Sequence, residues 1–240
     1  METGARVAVL HARGGPGDYR ALLAAAARAA APAVDELYLF LPPDRALPGD
    51  ILREAGFKTE RIAYEMARDD PGLEEPEAPP GYRLDPLSRG DEDGISAYVE
   101  VRNRNFREVL GSLSIRAEAV RADLESPGIP PGGLAILRAP DGSPCGTMRA
   151  ERDVEPDCLS IGALSVDREH RGRGLGRFLL RSAAALGRRE GFRSLSLSVN
   201  ARNARALGLY ESEGFTVRSS WACLAGRIPV ILERTAPGRG

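Results

Sequence analysis

Leu195, Leu197 and Val199 alternate with Ser194, Ser196 and Ser198, the period-two pattern of a half-buried strand. A second apolar run, Leu159–Val166, predicts a central strand. It leads through Arg and Gly residues into a helical Ala/Leu/Arg pattern from Phe178 to about Arg189. Upstream, Tyr82–Leu87 reads as a strand, Asp91–Leu110 as one or two helices, and Ser114–Glu125 as another helix with Ser114 as its cap. Gly133–Arg138 and Gly146–Glu151 form a strand pair around Ala139-Pro-Asp-Gly-Ser-Pro144. Trp221–Ala225 and Pro229–Leu232 are expected to close the sheet. Near the start, Val7–Leu10 reads as a strand. Ala21–Ala31 reads as a buried helix, too short to span a bilayer and interrupted by Arg28.

Residues 69–80 are acidic and Pro-rich, the composition of an extended linker. They divide the chain into residues 1–68 and 81–240. The first part contains an internal repeat of the second. Glu54-Ala-Gly56-Phe57 echoes Ser212-Glu-Gly214-Phe215 at an offset of 158. Without gaps, the same offset lays Leu37 and Leu39 on Leu195 and Leu197, Ala25–Ala27 on Ala183–Ala185, and Arg13-Gly14 on Arg171-Gly172. Residues 1–68 are therefore expected to run strand, helix, strand, helix, strand.

The chemistry concentrates in Ala163-Leu-Ser-Val-Asp-Arg-Glu-His-Arg-Gly-Arg-Gly-Leu-Gly-Arg177. Gly172, Gly174 and Gly176 permit a sharp turn that aims successive N–H groups at one spot. A helix N-terminus adds partial positive charge, and Arg171, Arg173 and Arg177 add full charges. Such a loop suits a pyrophosphate. The Walker loop requires Lys-Ser/Thr after its last Gly, and Arg177-Phe178 stands there. The dinucleotide fingerprint requires Gly-x-Gly-x-x-Gly and an acid ending the next strand, and Asn200 stands there.

Arg171-x-x-Gly174-x-Gly176 resembles the coenzyme A loop of the GNAT acyltransferases (GCN5-related N-acetyltransferases). Downstream, Asn203, Ala206, Tyr210, Gly214 and Phe215 are similar to that family's Asn-x-x-Ala-x-x-x-Tyr-x-x-x-Gly-Phe signature. The resemblance covers roughly residues 80–230. It implies an α/β GNAT fold: a mixed, mostly antiparallel sheet with flanking helices, preceded here by a partial GNAT-like half-domain. It implies an acetyl-CoA-dependent N-acetyltransferase acting by direct attack of an amine. Leu164, Ser165 and Val166 would hold the pantetheine arm and thioester. Arg171, Gly172, Arg173, Gly174, Leu175, Gly176 and Arg177 would hold the pyrophosphate. Asn203 would hold the cofactor's amides or cap the next helix. Tyr210 would protonate the departing thiolate. The first half would be a degenerate copy: Pro16 falls on Gly174, Asp18 on Gly176, Arg45 on Asn203 and Leu52 on Tyr210. A truncated copy before a complete one resembles tandem members of the family, the mycothiol synthase group among them.

The general base is missing from its expected places. Where related enzymes often carry Glu, this chain has Ser160 and Ser198. Glu155, Asp157, Glu100, Glu108 and a water chain are the alternatives. A non-catalytic acyl-CoA sensor is the competing function. Arg102-Asn-Arg104-Asn-Phe106-Arg107 reads as an exposed basic helix face with Phe106 turned inward, against a role in binding an acidic acceptor.

Composition narrows the field further. The net charge is −1 over 240 residues, which gives no footprint for nucleic acid. No signal peptide is visible in the sequence, and no membrane association is expected. Cys145, Cys158 and Cys223 are odd in number and fit no metal spacing, so they are expected to be reduced packing residues of a cytoplasmic protein. With His11 and His170 the only histidines, neither a metal site nor a Ser-His-Asp triad is expected; His170 reads as a solvated loop residue. The partner is expected to be a small-molecule or peptide amine, and the chain a monomer or homodimer.

Overall fold

The computed structural model describes residues 7–10, 19–31, 33–41, 49–73, 76–107 and 114–236. In chain order the first elements are β1 (Val7–Leu10), α1 (Tyr19–Ala30), β2 (Glu36–Leu41), α2 (Gly49–Glu54) and β3 (Lys58–Arg68). There follow β4 (Arg83–Pro86), α3 (Glu92–Phe106), α4 (Ala117–Glu125), β5 (Leu134–Arg138), β6 (Pro144–Arg152) and β7 (Cys158–Val166). The last are α5 (Leu175–Arg189), β8 (Ser194–Asn200), α6 (Ala204–Ser212), β9 (Thr216–Arg227) and α7 (Ile228–Thr235).

Two compact units result. One holds Met1–Tyr64, Asn200–Arg202 and Ser219–Gly240; the other holds Glu65–Val199 and Asn203–Arg218. These bounds differ from the expected 1–68 and 81–240. The division falls inside β3 and β9.

In the first unit β1 runs parallel to β2, and β2 pairs antiparallel with β9 from Glu36 opposite Arg227 to Leu41 opposite Ala222. Leu23 and Ala27 of α1, Leu37 and Leu39 of β2, Leu52, Ala55, Phe57, and Ile228 and Ile231 of α7 form its core. Only one face of α1 is buried, and Leu22 is exposed, so it is an amphipathic rather than a wholly buried helix. Pro229–Leu232 is helical, not a closing strand. Pro229 occupies the first turn, where its missing N–H is no loss. Ile228 and Ile231, three apart, then share one buried face.

In the second unit β4, β5, β6 and β7 pair antiparallel, and β7 pairs parallel with β8. On its other side β8 neighbours β3. Helix α5 buries Leu175, Phe178, Leu179, Ala183 and Leu186, a helical stripe. At Gly187 the backbone comes so near the sheet that a Cβ would stand 3.2 Å from Leu159 and Leu195. Leu87, Ile95, Tyr98, Val120, Leu134 and Ile136 form a second core under α3 and α4. Helix α4 starts at Ala117 with Arg116 before it, so Ser114 is not its cap. Residues 70–73, at the start of the expected linker, are held by contacts. Pro71 and Leu73 are buried, Arg188 donates to the Leu73 carbonyl at 3.2 Å, and Asp70 caps its own turn through Gly72 N at 2.7 Å.

Over most of its length the offset of 158 lays element on element. It carries β2 onto Ser194–Val199 of β8, α2 onto the end of α6, and β3 onto β9. The turns match bond for bond. Phe57 N donates to Leu52 O at 2.9 Å and Phe215 N to Tyr210 O at 3.0 Å; Gly56 N reaches Arg53 O and Gly214 N reaches Glu211 O, each at 3.0 Å. Both glycines are left-handed, with φ of 93° and 82°. The ungapped offset fails at β1. Val7 lies opposite Glu36, 29 residues on, while Cys158 lies opposite Ser194, 36 residues on. The first connection is thus seven residues shorter, and the shortening falls where the second carries its Gly/Arg loop. Arg13, Gly14, Pro16, Asp18 and Arg45 lie outside the described residues.

Candidate active site

Strands β7 and β8 part company inside the second unit. Their last paired residues are Ile161 and Leu197, yet β7 runs on to Val166. The slot this opens is bordered by a bulge. The β6–β7 register slips between Thr147 and Arg149, and Ala163 takes a φ of 46°. A non-glycine residue there is strained, and its neighbours must hold it. Thr147, fully buried, does so: its hydroxyl donates to Ala163 O at 2.9 Å and pairs with Ser165 Oγ at 2.7 Å. Beyond the bulge Leu164, Ser165 and Val166 line a cavity of about 570 Å³.

The far wall is the loop and the start of α5. Gly172 and Gly174 have φ of 83° and 79°, values that favour glycine. Gly174 stands at the N-cap, so the helix begins at Leu175, three residues before the predicted start. The first turn of α5 presents N–H groups with no partner inside the helix, and Phe178 N makes the first helical bond, to Gly174 O at 3.0 Å. Gly176 keeps room for α6: a Cβ there would meet Leu209 at 3.4 Å.

Arg171, Gly172, Gly174, Leu175, Gly176, Arg177 and Asn203 all line the cavity. Arg173 does not. Its guanidinium donates to the buried Tyr82 hydroxyl at 3.1 Å, which also meets His170 Nδ1 at 3.0 Å, so His170 is held and not simply solvated. Arg177 borders the cavity, but its charge is engaged by Glu213, Nε to Oε1 at 2.7 Å. Glu213 is only 4% exposed and holds Arg181 as well, at 2.9 Å. Arg171 donates to Val166 O at 2.9 Å from an exposed position. Arg205, in the first turn of α6, also lines the cavity. No motif in the sequence marks it; its one signal is a cation two residues after Asn203.

Asn203 caps α6, accepting from Ala206 N at 3.2 Å. Tyr210 lines the cavity from that helix, its ring tilted against buried Phe215 at 6.1 Å. Burial raises the Tyr210 pKa above its ordinary value of 10.0, which keeps the phenol protonated at neutral pH. Phe106 of α3 closes another side, with Arg102 over its ring at 5.0 Å. Arg104 is bound to Asp167 at 2.5 Å and Glu100 at 3.0 Å.

Ser160 lies opposite Glu151 on one side and Ser196 on the other. Of the alternative bases, Glu155 and Asp157 are exposed in the turn before β7, Glu100 is paired with Arg104, and Glu108 lies outside the described residues. The three cysteines are buried, and burial pushes the Cys145 thiol up to about 11. Among the described residues no group of His, Cys, Asp and Glu is arranged to hold a metal ion, and no helix is long and apolar enough to cross a membrane.

The family model for the acetyltransferase (GNAT) family matches residues 95–215, about half of the chain and nearly every residue named above. A mycothiol acetyltransferase of Geodermatophilus obscurus is 29% identical over 187 residues, 73% of this chain and 60% of that protein. One of Propionibacterium freudenreichii is 29% identical over 163 residues, 67% of this chain and 50% of the relative. The chain thus spans little more than half the length of these curated relatives. Among solved structures, a tandem GNAT protein from the clavulanic acid biosynthesis pathway superposes with a TM-score of 0.68 at 19% identity, covering 94% of this chain and 76% of the other. A GCN5-related N-acetyltransferase from Sphaerobacter thermophilus gives 0.63 at 22% identity, covering 80% of this chain and 60% of that one. The split strands, the bulge, the Gly/Arg loop and the family match lead to one conclusion: this chain belongs to the GNAT acetyltransferase family.

Proposed function

We propose that the protein transfers an acetyl group from acetyl-CoA to an amine. The observation that carries this reading is the single cavity wall shared by Leu164–Val166, the Gly172–Gly176 turn and Tyr210. A pyrophosphate fits the N–H groups of the loop and the first turn of α5, with Arg171 and Arg205 supplying charge. A pantetheine arm fits the unpaired edge of β7 beyond Ile161, where backbone N–H and C=O groups stand free of β8. Those N–H groups polarise the thioester carbonyl, and Tyr210 gives its proton to the departing sulfur. The mycothiol acetyltransferase names of the relatives favour a mycothiol-related small molecule as acceptor over a protein amine. We read the first unit as a degenerate copy that holds no acyl-CoA, and the chain as cytoplasmic.

Release of free thiol from acetyl-CoA, measured against a panel of small amines and amino-terminal peptides, tests the proposal. Turnover with at least one amine, falling about 100-fold in Tyr210→Phe while acetyl-CoA binding is retained, is the expected result. A second reading, a non-catalytic acyl-CoA sensor, has one observation in its favour: serines at 160 and 198. It predicts binding without turnover on every amine.

A further inference from the structure

A carboxylate stands beside the position where β7 carries serine. Leu159 packs against Gly187 of α5, so Ser160, the next residue, points to the opposite face of the sheet. Strand β6 lies alongside, with Arg149 opposite Gly162 and Glu151 opposite Ser160. The Arg149 side chain crosses Gly162, where a Cβ would meet its Cδ at 4.0 Å, and its guanidinium donates to Asp123 of α4 at 3.2 Å. It also donates to Glu151 Oε2 at 2.7 Å, which holds that carboxylate on the same face. Paired residues of neighbouring strands lie about 4.8 Å apart and share a face, so the Glu151 side chain rises next to that of Ser160. Ile161 is the last residue of β7 paired with β8, so the slot opens one residue beyond Ser160. The short serine leaves room for the longer side chain from the next strand.

Resting on the acetyl-transfer reading above, we propose that Glu151 is the general base of the reaction, with Arg149 and Asp123 as its positioning residues. The amine arrives as an ammonium ion. Glu151 takes one proton from nitrogen and passes it to solvent. The free nitrogen lone pair forms the C–N bond as the C–S bond breaks. The sulfur takes the Tyr210 proton, and the second proton lost from nitrogen restores the phenol. One amide, one free thiol and one solvent proton result, so the step balances without a further reactant.

The charges around Glu151 suit this role. Arg149 is one cation between two carboxylates, Asp123 and Glu151, so the trio keeps one negative charge. An ammonium acceptor is drawn to that charge. The Glu151 side chain is 39% exposed and that of Asp123 29%, so Glu151 is the member that an acceptor reaches. Asp123 holds the guanidinium from α4, and the guanidinium in turn fixes the carboxylate. The neighbouring elements add few further charges. Tyr98 of α3 is buried, which holds its phenol above 10.0 and neutral. Arg102 of the same helix stacks on Phe106. Cys158 of β7 is a buried thiol whose pKa burial raises. Ser196 of β8 is engaged with Asp153 at 2.5 Å.

The test is kcat/KM against pH for wild type, Glu151→Gln and the double variant Glu151→Gln with Ser160→Glu, with acetyl-CoA binding and melting followed by thermal shift. Glu151→Gln keeps an oxygen for Arg149 and removes only the base. It is expected to lower kcat/KM at pH 7 about 100-fold and to recover as pH approaches the amine's own pKa, where the free amine needs no base. Melting and acetyl-CoA binding are expected to be unchanged. Ser160→Glu, which returns a carboxylate one strand spacing away, is expected to restore at least tenfold of the loss at pH 7. A Glu151→Gln variant with the wild-type pH profile would overturn the assignment. So would a loss that is equal at every pH and is not relieved by Ser160→Glu, since that is the mark of a structural role. A wild-type protein that binds acetyl-CoA and turns over no amine overturns the transfer reading, and the base with it, before any variant is compared.

Discussion

At the scale of single residues, the site depends on backbone conformations that only certain side chains permit. Gly174 turns the loop into α5 at a φ of 79°, with open space where a Cβ would stand. Gly174→Asp therefore meets no steric block; it adds backbone strain of about 1 kcal/mol and a carboxylate beside a bound pyrophosphate. The expected outcome is a loss of acetyl-CoA affinity of at least tenfold by calorimetry, with the fold retained by circular dichroism. Gly174→Ala, which adds only the strain, should bind more tightly than Gly174→Asp. Tyr210 makes a prediction of opposite sign to a base. In the proposed role its protonated form is the active one, and burial raises its pKa above 10.0. The alkaline limb of kcat should accordingly fall above pH 10 and be absent in Tyr210→Phe. The place of these residues on the cavity wall could be read in the sequence from glycine spacing and the Asn203–Tyr210 signature. The partners of the arginines could not. Arg173 and Arg177 look like phosphate ligands from their place in the loop, but Tyr82 and Glu213, 91 and 36 positions away, take their guanidinium groups.

Between elements, Glu213 is the joint that fixes α6 against α5. Its carboxylate binds Arg177 and Arg181 of α5, and its carbonyl accepts from Arg68 of β3. Its N–H closes the last turn of α6 on the carbonyls of Leu209 and Tyr210, each at 3.1 Å. Removing one partner of a buried pair leaves the other uncompensated, an effect reduced here because Arg177 is half exposed. Glu213→Ala is expected to cost about 2 kcal/mol by urea denaturation and to weaken acetyl-CoA binding through the freed α5–α6 wall. Unchanged stability would place the ion pairs among those that contribute nothing measurable. Helix α7 shows what periodicity leaves open at this scale. Pro229–Leu232 is a short apolar run compatible with strand or helix. Proline in the first turn, and a core that takes Ile228 and Ile231 from one face, decide for helix.

For the whole molecule, the two units do not follow the two halves of the sequence. The first unit is completed by Ser219–Gly240, and the second begins at Glu65. The repeat places a strand before residue 68, and the run Trp221–Ala225 another, but neither says which neighbour each takes, and the units divide at Tyr64 and Glu65 rather than at 69–80. Chain fragments test this directly. A fragment of residues 81–240 lacks Leu23, Ala27, Leu37, Leu39 and Phe57, the partners of Ile228 and Ile231, and is expected to aggregate or melt well below the full chain. A fragment that melted at the full-chain temperature would show that the first unit's core is dispensable. The shorter β1–α1 connection predicts one acetyl-CoA per chain by calorimetry.

The central claim is acetyl transfer at the slot between β7 and β8. Its most direct measurement is thiol release from acetyl-CoA by wild type and Tyr210→Phe side by side, with a panel of small amines and peptides. The account predicts amine-dependent release by wild type and a loss of about 100-fold in the variant, with binding of acetyl-CoA intact in both. Tight binding of acetyl-CoA by wild type with no release for any amine would contradict it.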